Sequence, residues 1–349
     1  MLVISGHKIG PGEPPFVIAE MSCNHHGRYE EAEKIVRAAK DAGADAIKLQ
    51  TYTPDTMTLD APQPWFRIKG TIWDGRGLHE LYREAMTPWE WHAPLKKLAD
   101  SLGLIIFSSP FDASAVDFLE KLGMPAYKIA SFENGDLPLI RKVAATGKPI
   151  IVSTGTATVT EVDEAVKTLR DANAPFVLLK CVSAYPAPPE EMNLRAIPAL
   201  AERHGVPIGL SDHTLGSSVA TAAVALGACV IEKHLTMTRA AGGPDAPFSM
   251  EPHEFKAMIS DLRAAQTALG DGKLGPAPSE TPSRAFRRSL FIVKDVKKGE
   301  PLTPDNLRAI RPGNGLPPKE YESALGRKAA EDIARGTPLS WDLVDKERP

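Results

Sequence analysis

Eight short, β-branched apolar runs alternate with amphipathic stretches over about the first 270 residues, and no other feature of the chain narrows its fold as much. The runs are 16–20 (FVIAE), 46–50 (AIKLQ), 104–108 (LIIFS), 126–130 (AYKIA), 149–153 (PIIVS), 176–180 (FVLLK), 207–211 (PIGLS) and 229–233 (CVIEK). Runs this short and this apolar are expected of strands buried on both faces of a parallel sheet. Between them the pattern turns helical. In 29–42 the residues Ala32, Ile35, Val36 and Ala39 recur at helical spacing, and Gly43 supplies a stop. Thr87-Pro88-Trp89-Glu90 predicts a capping Thr ahead of a Pro in the first turn, and a last amphipathic helix spans about 251–269. Eight strands, each followed by a helix, predict an α/β fold of the (β/α)8 TIM-barrel type. The competing doubly wound sheet would carry a GxGxxG turn after its first strand, whereas the turn after Glu20 reads Met-Ser-Cys-Asn-His-His-Gly.

Composition excludes several classes. The 349 residues are 43% hydrophobic and 24% charged, which rules out wholesale disorder, and a net charge of −3 argues against a broad nucleic-acid-binding face. Three unpaired-looking cysteines, Cys23, Cys181 and Cys229, fit a reducing compartment. No apolar run approaches the ~18 residues that span a bilayer, and the N-terminus lacks a signal-peptide pattern. A soluble, cytoplasmic protein without a membrane or nucleic-acid partner is expected.

The barrel domain is expected over 1–270. Residues 271–285, rich in Gly, Pro and Ser, read as a linker to a second domain at 286–349. In that domain DVKKGEPLTPDNL (295–307) and DIARGTPLSWDLV (332–344) repeat one another, which predicts a small pseudo-symmetric unit of short strands and turns. Arg284, Arg287, Arg288, Lys294, Lys297, Lys298, Arg308 and Arg311 give its first half a basic cast. In the barrel, the long connection 51–86 holds Trp65, Phe66, Trp73 and Tyr82, as a functional lid or binding loop would.

Chemistry in this fold lies at the C-terminal strand ends. Those ends read Glu20; Lys48 and Gln50; Ser108 and Ser109; Lys128 and Ser131; Ser153 and Thr154; Lys180, Cys181 and Ser183; Ser211, Asp212 and His213; Glu232, Lys233 and His234. Lys48 and Lys128, with Ser109, Ser131, Ser153 and Ser211, describe a site for a small, highly charged anion, since lysine supplies point charges and serine directional donors. His213 and His234 end adjacent strands, ~4.8 Å apart, and can share a divalent ion, with barrel closure bringing Glu20 alongside. The residues alone thus point to a metal-assisted enzyme acting on a phosphorylated carboxylate and a carbonyl partner. They leave condensation, lyase chemistry and hydrolysis open.

The segments FVIAEMSCNHHG (16–27), KLQTYTPDTMTLD (48–60), KIASFE (128–133), GLSDHTLG (209–216), EKHLT (232–236) and RPGNG (311–315) resemble the sialic acid synthase family over nearly the whole chain, including a C-terminal antifreeze-like (SAF) domain. KLQTYTPDTM, LYREAMTPWEWH (81–92), SSPFD (108–112) and FRRSLFIVKDVKKGE (286–300) look most like its pseudaminic acid synthase branch. The resemblance implies a transferase that condenses phosphoenolpyruvate with 2,4-diacetamido-2,4,6-trideoxy-L-altrose and releases phosphate. The alternative is the same chemistry on a legionaminic or N-acetylneuraminic acid precursor. His213 and His234 match the family's metal ligands, for manganese or else Mg2+ or Co2+, and Glu20 its acid/base residue. Lys48, Ser109, Lys128, Ser131, Ser153, Ser183 and Ser211 match phosphoenolpyruvate contacts. Glu133, Tyr185 and Asp245 match sugar-side positions. Arg311 matches the arginine that one subunit's SAF domain lends to the other subunit's site, which implies a domain-swapped homodimer.

Three positions depart from the family pattern. Cys23 stands where a small residue is common and His26 where Asn is common, which raises an added metal contact or a substituted amide hydrogen bond. Ser183 stands where N-acetylneuraminate synthases commonly have Asn.

Overall fold

The computed structural model describes residues 1–345, so the last four residues of the expected C-terminal domain lie outside the described residues. The chain divides into two compact units, Met1–Gly270 and Asp271–Pro349. The first opens with a hairpin, β1 (Leu2–Ile4) and β2 (His7–Ile9), which had no signal in the periodicity. Eight parallel strands then close into a barrel: β3 (Phe16–Glu20), β4 (Ala46–Thr51), β5 (Ile105–Pro110), β6 (Tyr127–Ile129), β7 (Ile150–Ser153), β8 (Phe176–Cys181), β9 (Ile208–Asp212) and β10 (Val230–His234). β10 pairs with β3 to complete the ring, with His234 opposite Glu20. Among the described residues no helix is long and apolar enough to cross a membrane.

Strand alternation sorts the side chains into two cores. Ile18, Ala46, Phe107, Ile151, Val177, Leu179 and Val230 fill the lower interior of the barrel, and Leu2, Ile4 and Ile9 of the hairpin join that cluster. The opposite phase, with Val17, Ile47, Ile106, Val152, Leu178 and Ile231, packs against the surrounding helices. A Cβ at Gly209 would lie 2.5 Å from the Val230 carbonyl oxygen and 2.6 Å from Leu179 Cδ2, so only glycine fits there.

The helix α1 (Tyr29–Ala42) ends at Gly43, which takes the left-handed conformation at φ 90°. In the 51–86 connection lie two further helices, α2 (Pro54–Met57) and α3 (Leu78–Ala85). The expected capping role of Thr87 is not observed. A 3-10 turn, Trp89–Trp91, intervenes before α4 (His92–Leu102). Thr87 is instead buried, with its hydroxyl 3.3 Å from His25 Nε2. Because His25 Nδ1 accepts from the Gly27 N–H, its proton sits on Nε2 and is donated to Thr87.

In the second unit, the stretch expected to be a linker carries short 3-10 turns at Pro278–Glu280 and Pro282–Phe286. Strands Ser289–Ile292 and Leu307–Ile310 pair antiparallel. The sequence repeat is a structural one. Lys298 N–H donates to Asp332 Oδ1 at 2.9 Å, and Arg335 N–H donates to Asp295 Oδ1 at 2.7 Å, two bonds that exchange equivalent residues of the repeats. Val296 and Ile333 bridge the repeats and contribute to a core with Leu290, Leu302 and Leu339.

Candidate active site

The upper interior of the barrel is a cavity of about 340 Å³. The same alternation that fills the lower barrel with apolar side chains aims Glu20, Lys48, Lys128, Ser153, Ser211, His213, Glu232 and His234 into it, and Ser131 joins them from the turn after β6. On its floor Lys48 Nζ lies 2.8 Å from Glu20 Oε2 and 3.6 Å from Glu232 Oε1. Lys128 Nζ lies 3.3 Å from the same Glu232 oxygen, and Ser211 donates to it at 3.2 Å. Gln50 Nε2 donates to Glu20 Oε1 at 2.9 Å and fixes the carboxylate plane.

Two lysines and two carboxylates thus alternate in a buried chain, and their environments differ. Burial alone would lower the Lys48 ammonium, but Glu20 and Glu232 outweigh it and hold it above its ordinary value. Burial lowers Lys128, and Glu232 compensates only in part. Glu232 is held below the usual carboxylate range: burial would raise it, but Lys128 and Lys48 prevail.

The serines expected to bind the anion are not equivalently placed. Ser131, Ser153 and Ser211 line the cavity. Ser109 does not: it is fully buried with Oγ 3.4 Å from Lys48 Nζ, and so supports the lysine from below. Nor is Ser183 among the lining residues; it packs beside Ser131 over Gly155, where a Cβ would collide with both hydroxyls. Ser153 Oγ, Glu232 Oε2 and Glu133 Oε2 are buried with no hydrogen-bond partner within the chain, as donors and acceptors for a ligand would be.

Other strand-end residues belong to the opposite phase. Lys233 and Asp212 form a fully buried pair at 2.8 Å outside the cavity, with Lys233 also donating to the Thr214 carbonyl. Ser108 bonds Thr51, which bonds His92. Lys180 reaches the Cys181 carbonyl. None of these four lines the cavity.

The imidazoles of His213 and His234 lie with centroids 5.4 Å apart. His213 Nδ1 donates to the Val182 carbonyl at 2.9 Å, which leaves Nε2 as a free lone pair and holds the ring, an arrangement suited to metal ligation. His234 Nδ1 has no hydrogen-bond partner but stands 3.4 Å from Asp245 Oδ2. Among the described residues no three His, Cys, Asp or Glu side chains could hold an ion by themselves. The donor set therefore fits a two-imidazole centre that takes its other positions from water and substrate.

Glu133, Tyr185 and Asp245 line the cavity wall above the floor. Burial raises the Glu133 carboxyl to about 7, against the pull of Lys128. Asp245 is held low: His234 overcomes its burial. Cys23 also lines the cavity, with its thiol raised by burial and by Asp245. His26 does not; its ring packs against Gly243. Arg311 lies in the second unit, exposed just beyond strand Leu307–Ile310.

Glu232 stood among the strand-end residues but was assigned no role in the site. The available signal was its two-residue offset from His234, which gives both the same strand face. Gln50, likewise at a strand end, was assigned no role either, and Ser22, which joins it and Glu20 in one hydrogen-bonded group, was missed.

A model of the NeuB family matches residues 35–274, and a model of the SAF domain matches residues 287–345. The chain is 47% identical to pseudaminic acid synthase of Helicobacter pylori over 337 residues, 96% of this chain and 99% of that one. It is 38% identical to N,N'-diacetyllegionaminic acid synthase of Legionella pneumophila, over 95% of this chain and 94% of that one. Among solved structures it is similar to N-acetylneuraminic acid synthetase from Leptospira borgpetersenii, with a TM-score of 0.73 and 33% identity over 81% of this chain and 94% of that one.

Proposed function

The chain belongs to the NeuB family and carries a C-terminal SAF domain, and from that footing we propose that it condenses phosphoenolpyruvate with 2,4-diacetamido-2,4,6-trideoxy-L-altrose and water to give pseudaminic acid and phosphate. The higher identity to the pseudaminic than to the legionaminic relative favours this sugar. The observation that carries the reaction class is one cavity holding Lys48, Lys128, Ser131, Ser153 and Ser211 beside Glu20 and two histidines.

In this reading the phosphate and carboxylate of phosphoenolpyruvate are held by the two lysines and three serines, with Ser153 supplying a hydroxyl that has no partner within the chain. C3 attacks the sugar aldehyde, water adds at C2, and the tetrahedral intermediate loses phosphate by C–O cleavage. Glu20, oriented by Gln50 and charge-paired with Lys48, is placed to take or give a proton at the reacting centre. Glu133, Tyr185 and Asp245 hold the sugar. A divalent ion, manganese in the first instance, bound by His213 and His234 would polarise the aldehyde carbonyl. The cytoplasm is the compartment that this substrate implies.

The test is phosphate release from phosphoenolpyruvate with manganese, offering the altro-configured diacetamido sugar beside N-acetylmannosamine and the legionaminic precursor. Release with the altro sugar alone is the expected result. Release only with another sugar overturns the substrate, and silence with all three overturns the reaction.

The assembly we propose is a domain-swapped homodimer in which Arg311 serves the partner subunit's site. Arg311→Ala should raise the sugar KM more than the phosphoenolpyruvate KM, and mixed dimers with Glu20→Gln should regain activity. No rescue in verified mixed dimers would overturn the swap.

A further inference from the structure

The two histidines of the proposed metal centre end neighbouring strands, and the residues just before them pair. Lys233 lies opposite Asp212 in the last rung of the β9–β10 ladder. One rung earlier Glu232 faces Ser211, and those two point into the cavity, so the strand pleat turns Asp212 and Lys233 to the other side. We propose that this outward pair, Asp212 with Lys233, is a positioning element that sets the spacing of His213 and His234 for a shared divalent ion without touching the cavity. The proposal rests on the metal centre proposed above.

The bonds bracket His213 on both sides. Lys233 Nζ donates to Asp212 Oδ2 at 2.8 Å and to the Thr214 carbonyl at 2.6 Å. Asp212 Oδ1 accepts from the Thr214 N–H at 2.9 Å and from its hydroxyl at 2.8 Å. The residues on either side of His213 are therefore tied, through one ammonium, to the residue that precedes His234. On its other flank β10 is held by β3, with His234 opposite Glu20 and the Leu235 N–H donating to the Glu20 carbonyl at 2.9 Å. The ladder to β9 stops one residue short of the histidines, and the ion pair takes over where it stops.

Stability does not explain the pair. Both side chains are fully buried, and the loss of their hydration offsets most of what their attraction returns. An apolar pair of the same size would serve a core about as well. What it would lack is direction. Four directed bonds among Asp212, Lys233 and Thr214 fix a distance that apolar packing leaves adjustable. Two imidazoles that share one ion depend on that distance, and groups behind the ligands commonly set it. The rings stand with centroids 5.4 Å apart, and a shift of either strand end changes that separation directly.

Mn2+ binding to the full chain, followed by electron paramagnetic resonance and calorimetry, reads the metal centre without turnover. Wild type should bind Mn2+, and His213→Ala should abolish that binding. The double variant Asp212→Asn, Lys233→Met removes both charges, keeps an amide oxygen for Thr214 and fills the lysine's volume, so its Tm should stay near that of wild type. Its Mn2+ affinity should fall by about 10–100-fold, the scale of losing a group that orients a metal ligand. Asp212→Asn alone, which turns an amide N–H towards Lys233, carries the same test if the double variant does not fold. The thermal shift given by phosphoenolpyruvate without metal should match that of wild type, because Lys48, Lys128 and Ser153 sit on other strands. Unchanged Mn2+ affinity in a folded variant, or equal loss of Mn2+ and phosphoenolpyruvate binding, overturns the positioning role while the metal centre stands. Wild-type Mn2+ binding that His213→Ala leaves intact, or no Mn2+ binding at all, overturns the metal centre and this inference with it.

Discussion

Glu232 and Lys128 form a buried ion pair on the cavity floor, 3.3 Å from Oε1 to Nζ, and the same oxygen is 3.6 Å from Lys48 Nζ. One carboxylate therefore serves two ammonium groups that also line the proposed phosphoenolpyruvate site. Removing it would leave two desolvated positive charges with Glu20 as their nearest counter-charge. Glu232→Gln should destabilise the unliganded protein by roughly 3 kcal/mol, the scale of breaking a buried pair from one side. Added phosphate should then raise its Tm more than it raises that of wild type, because the anion replaces the lost charge. Thermal melts with and without phosphate check this; equal phosphate shifts would show that Glu232 does not set the charge of the anion site.

Glu20→Gln should keep phosphoenolpyruvate binding, measured by calorimetry, and lose turnover by two or more orders of magnitude, the scale of a lost proton-transfer group. The amide can still accept from Gln50 but cannot move a proton. Turnover near the wild-type rate would remove Glu20 from the mechanism.

Glu133 gives the proposed sugar side a pH signature. Its carboxyl is raised to about 7, by burial first. The neutral form is thus favoured by folding: the associated stability is present below the carboxyl's usual range and lost as pH rises through 7. For the proposed sugar binding the sign is opposite, because an ionised carboxylate would accept from sugar hydroxyl and amide groups. The sugar KM should fall as pH rises through about 7, and Glu133→Gln should flatten that step. A step that persists in the variant belongs to another group.

His92 governs acid stability at a distance from the chemistry. Its Nδ1 donates to the Pro88 carbonyl and its Nε2 accepts from Thr51, which holds the ring neutral, and burial lowers its pKa from 6.5 to about 4. A depressed value means stability that is present above pH 6.5 and lost as pH falls towards 4, by up to about 3 kcal/mol for this group. Melts from pH 7 to 4 should show the decline, and His92→Gln should lower the Tm at pH 7 but make the decline shallower. An unchanged slope would assign the acid sensitivity elsewhere, His25 being the next buried imidazole held near 4.

Barrel topology was legible because eight apolar runs of strand length leave few arrangements, and the internal repeat was legible because its Asp and Gly-Pro-Leu positions recur in register. Exact strand ends were less so: the run expected at 229–233 is observed as Val230–His234. Thr87 shows the limit of a local motif: its sequence fits a cap, but the neighbouring His25 claims its hydroxyl.

The sequence by itself determined the barrel, the ladder of titratable and hydroxyl residues along its strand ends, and the pairing of Glu20 with His234 through ring closure. Tertiary structure alone decided which of those residues meet. Strand pleat and barrel pairing turn Glu232 inward and its neighbour Lys233 outward, give Asp212 rather than a substrate to Lys233, and set Ser109 beneath Lys48 instead of in the cavity. Tertiary structure also decided the apolar part of the cavity lining, which draws on side chains up to 54 positions apart, Met57 to Phe111, whose meeting no periodicity encodes. The reason is physical: a strand's composition sets what it can bury, but the direction of each side chain depends on where its neighbours fix the strand along the barrel axis.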